Sequence, residues 1–327
     1  MIGTRLTEML GVDHPVMLAG MGGVSYHRLV AAVSAAGGFG CLGASTMAPS
    51  QMVDEMAAVR SETDRPFGVD LLTAAPGDMS AQVAKIIDGG ASVFVAGLGV
   101  PRDVIDSCHE AGLLVVNMCG KVVHALRAVE AGCDIVVAQG TEAGGHTGLV
   151  ATMPLVPQIV DAVEGRVPVV AAGGIFDGRG LAAALTLGAD GVWVGTRFIA
   201  TPEANSAPGY KDTLLATHED GTTITRAYSG KTMRAVRNDY TAYFDSHPEE
   251  LQPFPMQLAR SFGDSAFHLG GDEDSAGVDP ARECYPCGQG VGAIGDLVPA
   301  GELVGRFVAE AEEALARATS VHAGAGT

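Results

Sequence analysis

Short, almost continuously apolar runs recur along this chain, each ended by a glycine or a polar residue, with helical patterns between them. The runs are Pro15–Ala19, Phe39–Leu42, Phe67–Leu71, Ser92–Ala96, Leu113–Asn117, Asp134–Ala138, Pro168–Ala172 and Gly191–Val194, and they start 21 to 34 residues apart. They lack the alternation of a sheet with one wet face, so they predict parallel strands covered on both sides. The spacing leaves room for one helix after each strand. Eight βα units in succession predict an α/β fold, a (β/α)8 or TIM barrel, better than an open sheet. In Tyr26–Ala36, Leu29, Val30 and Val33 share one face before Gly37-Gly38 ends the pattern, as an amphipathic helix requires. Asp177 is placed to cap a helix around Leu181 and Leu185.

After Gly195 the pattern changes. Thr201 to Gly292 is rich in Pro, Ser, Asp, His and aromatics, with helix-like pieces at Tyr210–Ala216 and Leu251–Phe262. It reads as a second, smaller, mostly helical domain, residues 201–292. Gly301–Ala318 then sets Leu303, Phe307, Val308, Ala311 and Leu315 on one face. That helix is expected to return to the barrel of residues 1–200 as its eighth helix.

Composition narrows the class. Apolar residues make up 47% of the 327 and charged residues 18%, which excludes a disordered chain. Glycine supplies 45 residues, about double ordinary usage, in keeping with many tight turns between strands. The net charge of −18 repels nucleic acid and anionic lipid, so neither is expected as a partner. Met1 to Val12 carries Arg5 and Glu8 and has no secretory apolar core, and the longest apolar stretch, Val167–Ile175, is too short to span a bilayer. Cysteines are sparse, and Cys41, Cys108, Cys119 and Cys133 sit in apolar surroundings. A cytoplasmic protein, with a homo-oligomer as an open option, is the expectation.

Candidate chemistry gathers where barrel loops follow strands. Ala172-Gly173-Gly174-Ile175-Phe176-Asp177-Gly178 and Gly195-Thr196-Arg197 fall after the seventh and eighth strands. Glycines there allow the close backbone approach that a phosphate needs. The longest gap follows the sixth strand, and its loop, Gln139 to Gly148, holds His146 between Gly144-Gly145 and Gly148. A histidine with space around its ring suits a general base near neutral pH. Glu142 either orients His146 or faces solvent. The other eight histidines receive no role. Cys284-Tyr-Pro-Cys287 is a lone CxxC, weak as a zinc signal, and reads as free thiols in a closing loop. No metal site is expected. Lys231, Arg234 and Arg237 form a basic island that either neutralises rim carboxylates or meets an anionic substrate or cofactor. The P-loop pattern is absent, which excludes that class of NTPase.

Several of these stretches together resemble the nitronate monooxygenase family (formerly 2-nitropropane dioxygenases). They are His14-Pro-Val-Met-Leu-Ala-Gly-Met-Gly-Gly23, Ala31 to Gly40, Pro66-Phe-Gly-Val-Asp70 and, most specific, Ala138-Gln-Gly-Thr-Glu-Ala-Gly-Gly-His-Thr-Gly148. Pro168 to Phe198, Thr201-Pro-Glu-Ala, Ser229 to Asn238 and Gly288-Gln-Gly-Val-Gly292 extend the likeness over most of the chain. The resemblance implies FMN across the barrel mouth. Met21 and Gly22 would border its ring, Gln139 and Gly144 would contact it, and Gly174, Gly195 and Thr196 would hold its phosphate. Gly20, Asp70, Gly145, Gly173 and Val194 complete the implied cofactor-binding set. His146 matches the family's catalytic histidine, which implies oxidation of alkyl nitronates or nitroalkanes with O2 to a carbonyl compound and nitrite. The alternative is an NAD(P)H-dependent flavin reductase of the enoyl-ACP or quinone reductase kind. Three positions depart from the family: Asp70 stands where Asn is usual, strand one reads Ala19-Gly-Met-Gly22, and Trp193 is bulky for its place.

Overall fold

The computed structural model describes residues 2–72, 79–97, 99–268 and 277–324. All eight expected strands form: β1 (Val16–Leu18), β2 (Gly40–Gly43), β3 (Phe67–Leu71), β4 (Val93–Ala96), β5 (Leu114–Cys119), β6 (Ile135–Gln139), β8 (Val169–Ala172) and β9 (Gly191–Val194), with β7 reserved for the pair Gly145–His146. They lie parallel in the order β1-β9-β8-β6-β5-β4-β3-β2. A bridge from Met17 to Phe39 closes the sheet on itself. The structure is the expected TIM-like barrel.

Two cores follow from the alternation of side chains along each strand. Met17, Phe39, Val93, Val95, Val116, Ile135, Val137, Val170 and Trp193 point inward and fill the barrel. Leu6 and Leu10 of α1 (Arg5–Leu10) join that cluster. Val16, Leu18, Leu42, Val69, Val136, Ala138, Val192 and Val194 point outward against the helices. Each such fully buried aliphatic side chain contributes about 1.5–3 kcal/mol.

The helix ends obey local chemistry. α2 (His27–Ala35) stops before Gly37, whose φ of 84° is left-handed. Asp177 caps α8 (Gly178–Thr186) by accepting from the Arg179 and Gly180 amides at 3.0 and 3.2 Å. α13 (Ala300–Gly324) packs between α8 and α2, where the eighth barrel helix belongs. A Cβ at Gly178 would lie 2.4 Å from the Phe307 carbonyl oxygen, so the close crossing of α13 and α8 requires glycine there. Among the described residues no helix is long and apolar enough to cross a membrane.

The expectation of a mostly helical segment over 201–292 needs correcting. Helices at Tyr210–Ala216 (α10), Asp239–Ser246 (α11) and Met256–Gly263 (α12) are present. Between them, β10 (Thr222–Thr225) and β11 (Met233–Val236) form an antiparallel hairpin that takes β7 as its third strand. The β-branched Thr-Thr-Ile-Thr of β10 favours a strand. The helix anticipated from Leu251 starts only at Met256, with Pro255 at its N-cap. Tyr228, Met233, Tyr240, Phe244 and Cys284 give this region its own core.

Candidate active site

A cavity of about 400 Å³ opens at the C-terminal ends of the barrel strands. Gly20, Met21 and Gly22 line it after β1, Asp70 from β3, and Gln139 at the end of β6. Gly144, Gly145 and His146 come from the long loop after β6, Gly173 and Gly174 from the loop after β8, and Gly195 and Thr196 from the end of β9. Of the residues expected to bind the cofactor or act as base, Val194 stands outside. Strand parity turns it outward into the helix layer and gives the inward place to Trp193, which lines the cavity. The far wall is made by Tyr210, Met233, Phe267, His268, Cys284 and Pro286.

His146 is fixed from both sides. As part of β7 it pairs with Met233 of β11, and the Gln139 side-chain amide donates to its carbonyl at 3.0 Å. Its Nε2 lies 2.8 Å from the Ser229 hydroxyl, which is buried and accepts from the Lys231 amide at 3.2 Å. The ring faces the open cavity, while surrounding protein disfavours its charged form. That burial, and then the nearby Lys231 ammonium, lower its pKa below the ordinary histidine value. The imidazole is therefore neutral at pH 7 and able to accept a proton.

Glu142 takes neither of the two roles open to it. Its carboxylate accepts from the Thr152 amide at 3.2 Å, at the start of α7 (Thr152–Val163). A helix N-terminus offers unsatisfied N–H groups and favourable polarity to an anion, which draws the side chain away from His146. The partner it leaves vacant is filled by Ser229, which the basic-island motif contains but whose role spacing could not reveal. Within that island, Arg234 is buried and donates to the Thr141 carbonyl and the Thr222 hydroxyl, each at 3.0 Å. It ties the histidine loop to the hairpin. Lys231 and Arg237 are exposed, and the Lys231 ammonium sits 4.2 Å above the Phe254 ring.

The glycines divide into two kinds. A Cβ at Gly144 would lie 2.7 Å from Cys287 backbone, one at Gly173 would lie 2.9 Å from the Ala143 nitrogen, and one at Gly174 would lie 2.7 Å from Glu142 Oε2. These glycines let the loops after β6 and β8 stack on each other and on the Cys287 loop. Gly145 and Gly195 differ. A Cβ at Gly145 meets nothing within 4 Å, and one at Gly195 would approach only Met21 Sδ and Ala19 Cβ, at 3.2 and 3.5 Å. Gly195 precedes the short helix α9 (Thr196–Ile199), whose first turn has no side-chain cap, whereas Asp177 occupies the start of α8. Bare backbone beside Gly195 and Thr196, in a cavity of ligand size, fits a planar group that carries a phosphate.

Asp70 lies against Gly20 so closely that a Cβ there would come within 2.3 Å of the Asp70 Cβ. Burial without a compensating cation pushes its carboxyl up to about 8, so it is largely protonated at neutral pH. The departures at Asp70 and Gly20 are thus in contact with each other. Cys284 and Cys287 are buried, free thiols; burial pushes Cys287 up to about 12 and Cys284 well above its ordinary value. Among the described residues no cluster of three or more His, Cys, Asp or Glu side chains could hold a metal ion.

Comparison with known proteins agrees with this geometry. The family described as "Nitronate monooxygenase" matches residues 3–310. The chain is 41% identical over 244 residues to the (3aS,4S,5R,7aS)-5-hydroxy-7a-methyl-1-oxo-octahydro-1H-indene-4-carboxyl-CoA dehydrogenase of Mycobacterium tuberculosis, covering 74% of this chain and 68% of that one. FabK from Thermotoga maritima superposes with a TM-score of 0.88 at 32% identity, over 98% of this chain and 100% of that one. Nitroalkane oxidase from Streptomyces ansochromogenes superposes with a TM-score of 0.81 at 29% identity, over 94% and 98%.

Proposed function

The chain belongs to the nitronate monooxygenase family and is a flavin-dependent oxidoreductase of that type, and from that premise we propose that it binds FMN at the barrel mouth and oxidises alkyl nitronates and their parent nitroalkanes with O2. The observation that carries this reading is His146, kept neutral at the cavity and held by Ser229. Bound FMN supplies the electron acceptor, passing electrons from the substrate to O2. The remaining work falls to the protein. Gly173, Gly174, Gly195 and Thr196 would hold the phosphate end of FMN. Gly20, Met21, Gly22, Asp70, Gln139, Gly144 and Gly145, which line the same cavity, would border its ring. His146 donates Nε2–H to Ser229 and so keeps Nδ1 as the acceptor. That nitrogen takes the proton from the carbon bearing the nitro group, whose electron pair is withdrawn into the nitro oxygens. The products are a carbonyl compound and nitrite.

A second reading is favoured by the 41% identity to a protein named as a carboxyl-CoA dehydrogenase. A carbon beside a thioester carbonyl is also acidified, so the same base would serve an acyl thioester, with NAD(P)H as the other partner in a reductase. Anaerobic mixing separates them. The purified protein is mixed in turn with propyl-2-nitronate, NADPH and a short acyl-CoA, and bleaching of the visible flavin band is followed. Rapid bleaching by nitronate, and release of nitrite once O2 is admitted, is the expected result. Rapid bleaching by NADPH with nitronate inert would overturn the proposal in favour of a reductase.

A further inference from the structure

The far wall of the cavity holds a second histidine that the mechanism above does not use. His268 lines the cavity beside Phe267. Glu283 is completely buried, and it directs both carboxylate oxygens at this one residue: Oε1 accepts from the His268 backbone amide at 2.7 Å and Oε2 meets the ring Nδ1 at 2.6 Å. The Glu283 backbone is itself held, its carbonyl accepting from the Asn238 side-chain amide at 2.8 Å and from the Tyr228 hydroxyl at 3.2 Å. A carboxylate at hydrogen-bond distance fixes Nδ1 as a protonated nitrogen and sets the plane of the ring, as an orienting acid does for a histidine in many active sites. Nε2 is then the edge that a ligand can meet.

We infer that His268, positioned by Glu283, is a binding site for the anionic head of the substrate, a planar pair of oxygens such as a nitronate or a carboxylate. The imidazolium form, which takes up its second proton together with the anion, carries N–H on both nitrogens and donates one charge-assisted hydrogen bond to Glu283 from Nδ1 and one to the anionic oxygen from Nε2. It gives an acidic chain of net charge −18 a local place for an anion. The arrangement divides the labour between two histidines. His146 handles the proton on carbon, and His268 holds the oxygens of the same molecule. His268 touches the substrate, while Glu283 acts only through His268.

The inference rests on the oxidoreductase reading for its kinetic test but not for its binding test. Propionate and the neutral propionamide are titrated into the flavin-loaded protein and followed by perturbation of the flavin spectrum. Propionate is expected to bind and propionamide to bind far more weakly; equal binding of the two, or none, overturns the anion site. His268→Gln is expected to weaken propionate, and to raise KM for propyl-2-nitronate, by roughly 10- to 100-fold, the worth of one hydrogen bond to a charged group. Glu283→Gln is expected to give the same rise in KM with kcat little changed. Undiminished propionate affinity in His268→Gln that retains flavin overturns the proposal. Should the variants fail to fold, the ring nitrogens of His268 are followed by 15N NMR in the unmodified protein. An Nε2 resonance unmoved by saturating propionate overturns it too. Propionate binding needs no turnover. A protein inert to nitronate whose His268→Gln variant loses propionate binding therefore refutes the nitronate reading and leaves the anion site standing.

Discussion

The two walls of the cavity are made of different material. The barrel wall is rich in glycine: Gly20, Gly22, Gly145, Gly173, Gly174 and Gly195 line it, and at Gly145 and Gly195 the main chain is least covered by neighbouring atoms. The far wall is all side chain, with Tyr210, Met233, Phe267, His268, Cys284 and Pro286 facing inward. A backbone wall presents regularly spaced polar groups and tolerates a close, flat partner. A side-chain wall presents apolar cover with a few polar handles, which is how small substrates are oriented and shielded from water. On the proposed reading the cofactor would meet the barrel wall and the substrate the far wall, so the side chains of Tyr210, Phe267 and Pro286, which line the cavity, are where substrate choice would vary, which accords with relatives that carry different names on one fold.

The strongest break in this comparison is made at His146, which is tied to both walls. His146→Ala is expected to slow nitroalkane oxidation by roughly 100- to 10,000-fold, the ordinary worth of a general base. Propyl-2-nitronate, already deprotonated, should lose far less, and initial rates on the two substrates check this. In the unmodified enzyme, kcat/KM for nitroalkane should fall as pH drops through the pKa of His146, at a midpoint below about 6.5, the free histidine value.

Next in size is the backbone wall itself. Gly144→Ala forces a Cβ to 2.7 Å from the Cys287 main chain, where no flexible side chain can yield. Overpacking of this kind costs about 1–3 kcal/mol, and a lowered Tm together with weaker flavin retention should report it. Gly145→Ala, with open space at that position, should keep the flavin better even though its φ of 72° adds strain.

A subtler test removes a charge from the rim. Lys231 holds the His146 pKa down, so Lys231→Met should raise the midpoint of the pH profile while leaving the rate at high pH nearly unchanged. A last test reads stability alone and concerns Asp70, whose folded pKa of about 8 stands above its unfolded value of about 4. The folded state holds that proton more tightly, so stability falls as pH rises between those values. Asp70→Asn should accordingly match the unmodified protein near pH 4, gain on it progressively in thermal melts up to about pH 8, and hold a constant advantage above.

The barrel was open to reading because strands buried on both faces leave a mark that survives without tertiary context: an apolar run closed by glycine. The same continuity hides which residues face inward, since a run apolar throughout carries no parity: Val194, expected at the cofactor, faces outward, and its neighbour Trp193 faces the cavity. The loop that carries His146 was legible from its glycines. Its partners were not. Ser229 lies 83 positions away, and β7 is two residues long, so neither spacing nor periodicity could announce either contact. Glu142, near in sequence, was the natural orienting candidate, but the amide at the start of α7 holds it more effectively. Glu283 and His268 stand 15 positions apart with no pattern joining them.

The strand that holds His146 belongs to two parts of the molecule at once. By covalent connection it is barrel loop, and by hydrogen bonding it is the third strand of the hairpin sheet. The histidine is thus a rivet between two plates: its position is defined by neither plate alone but by their alignment. Substitutions in β10 or β11, remote from any ligand, will register as faults in proton transfer, and amide exchange at His146 and Met233 will keep a common clock.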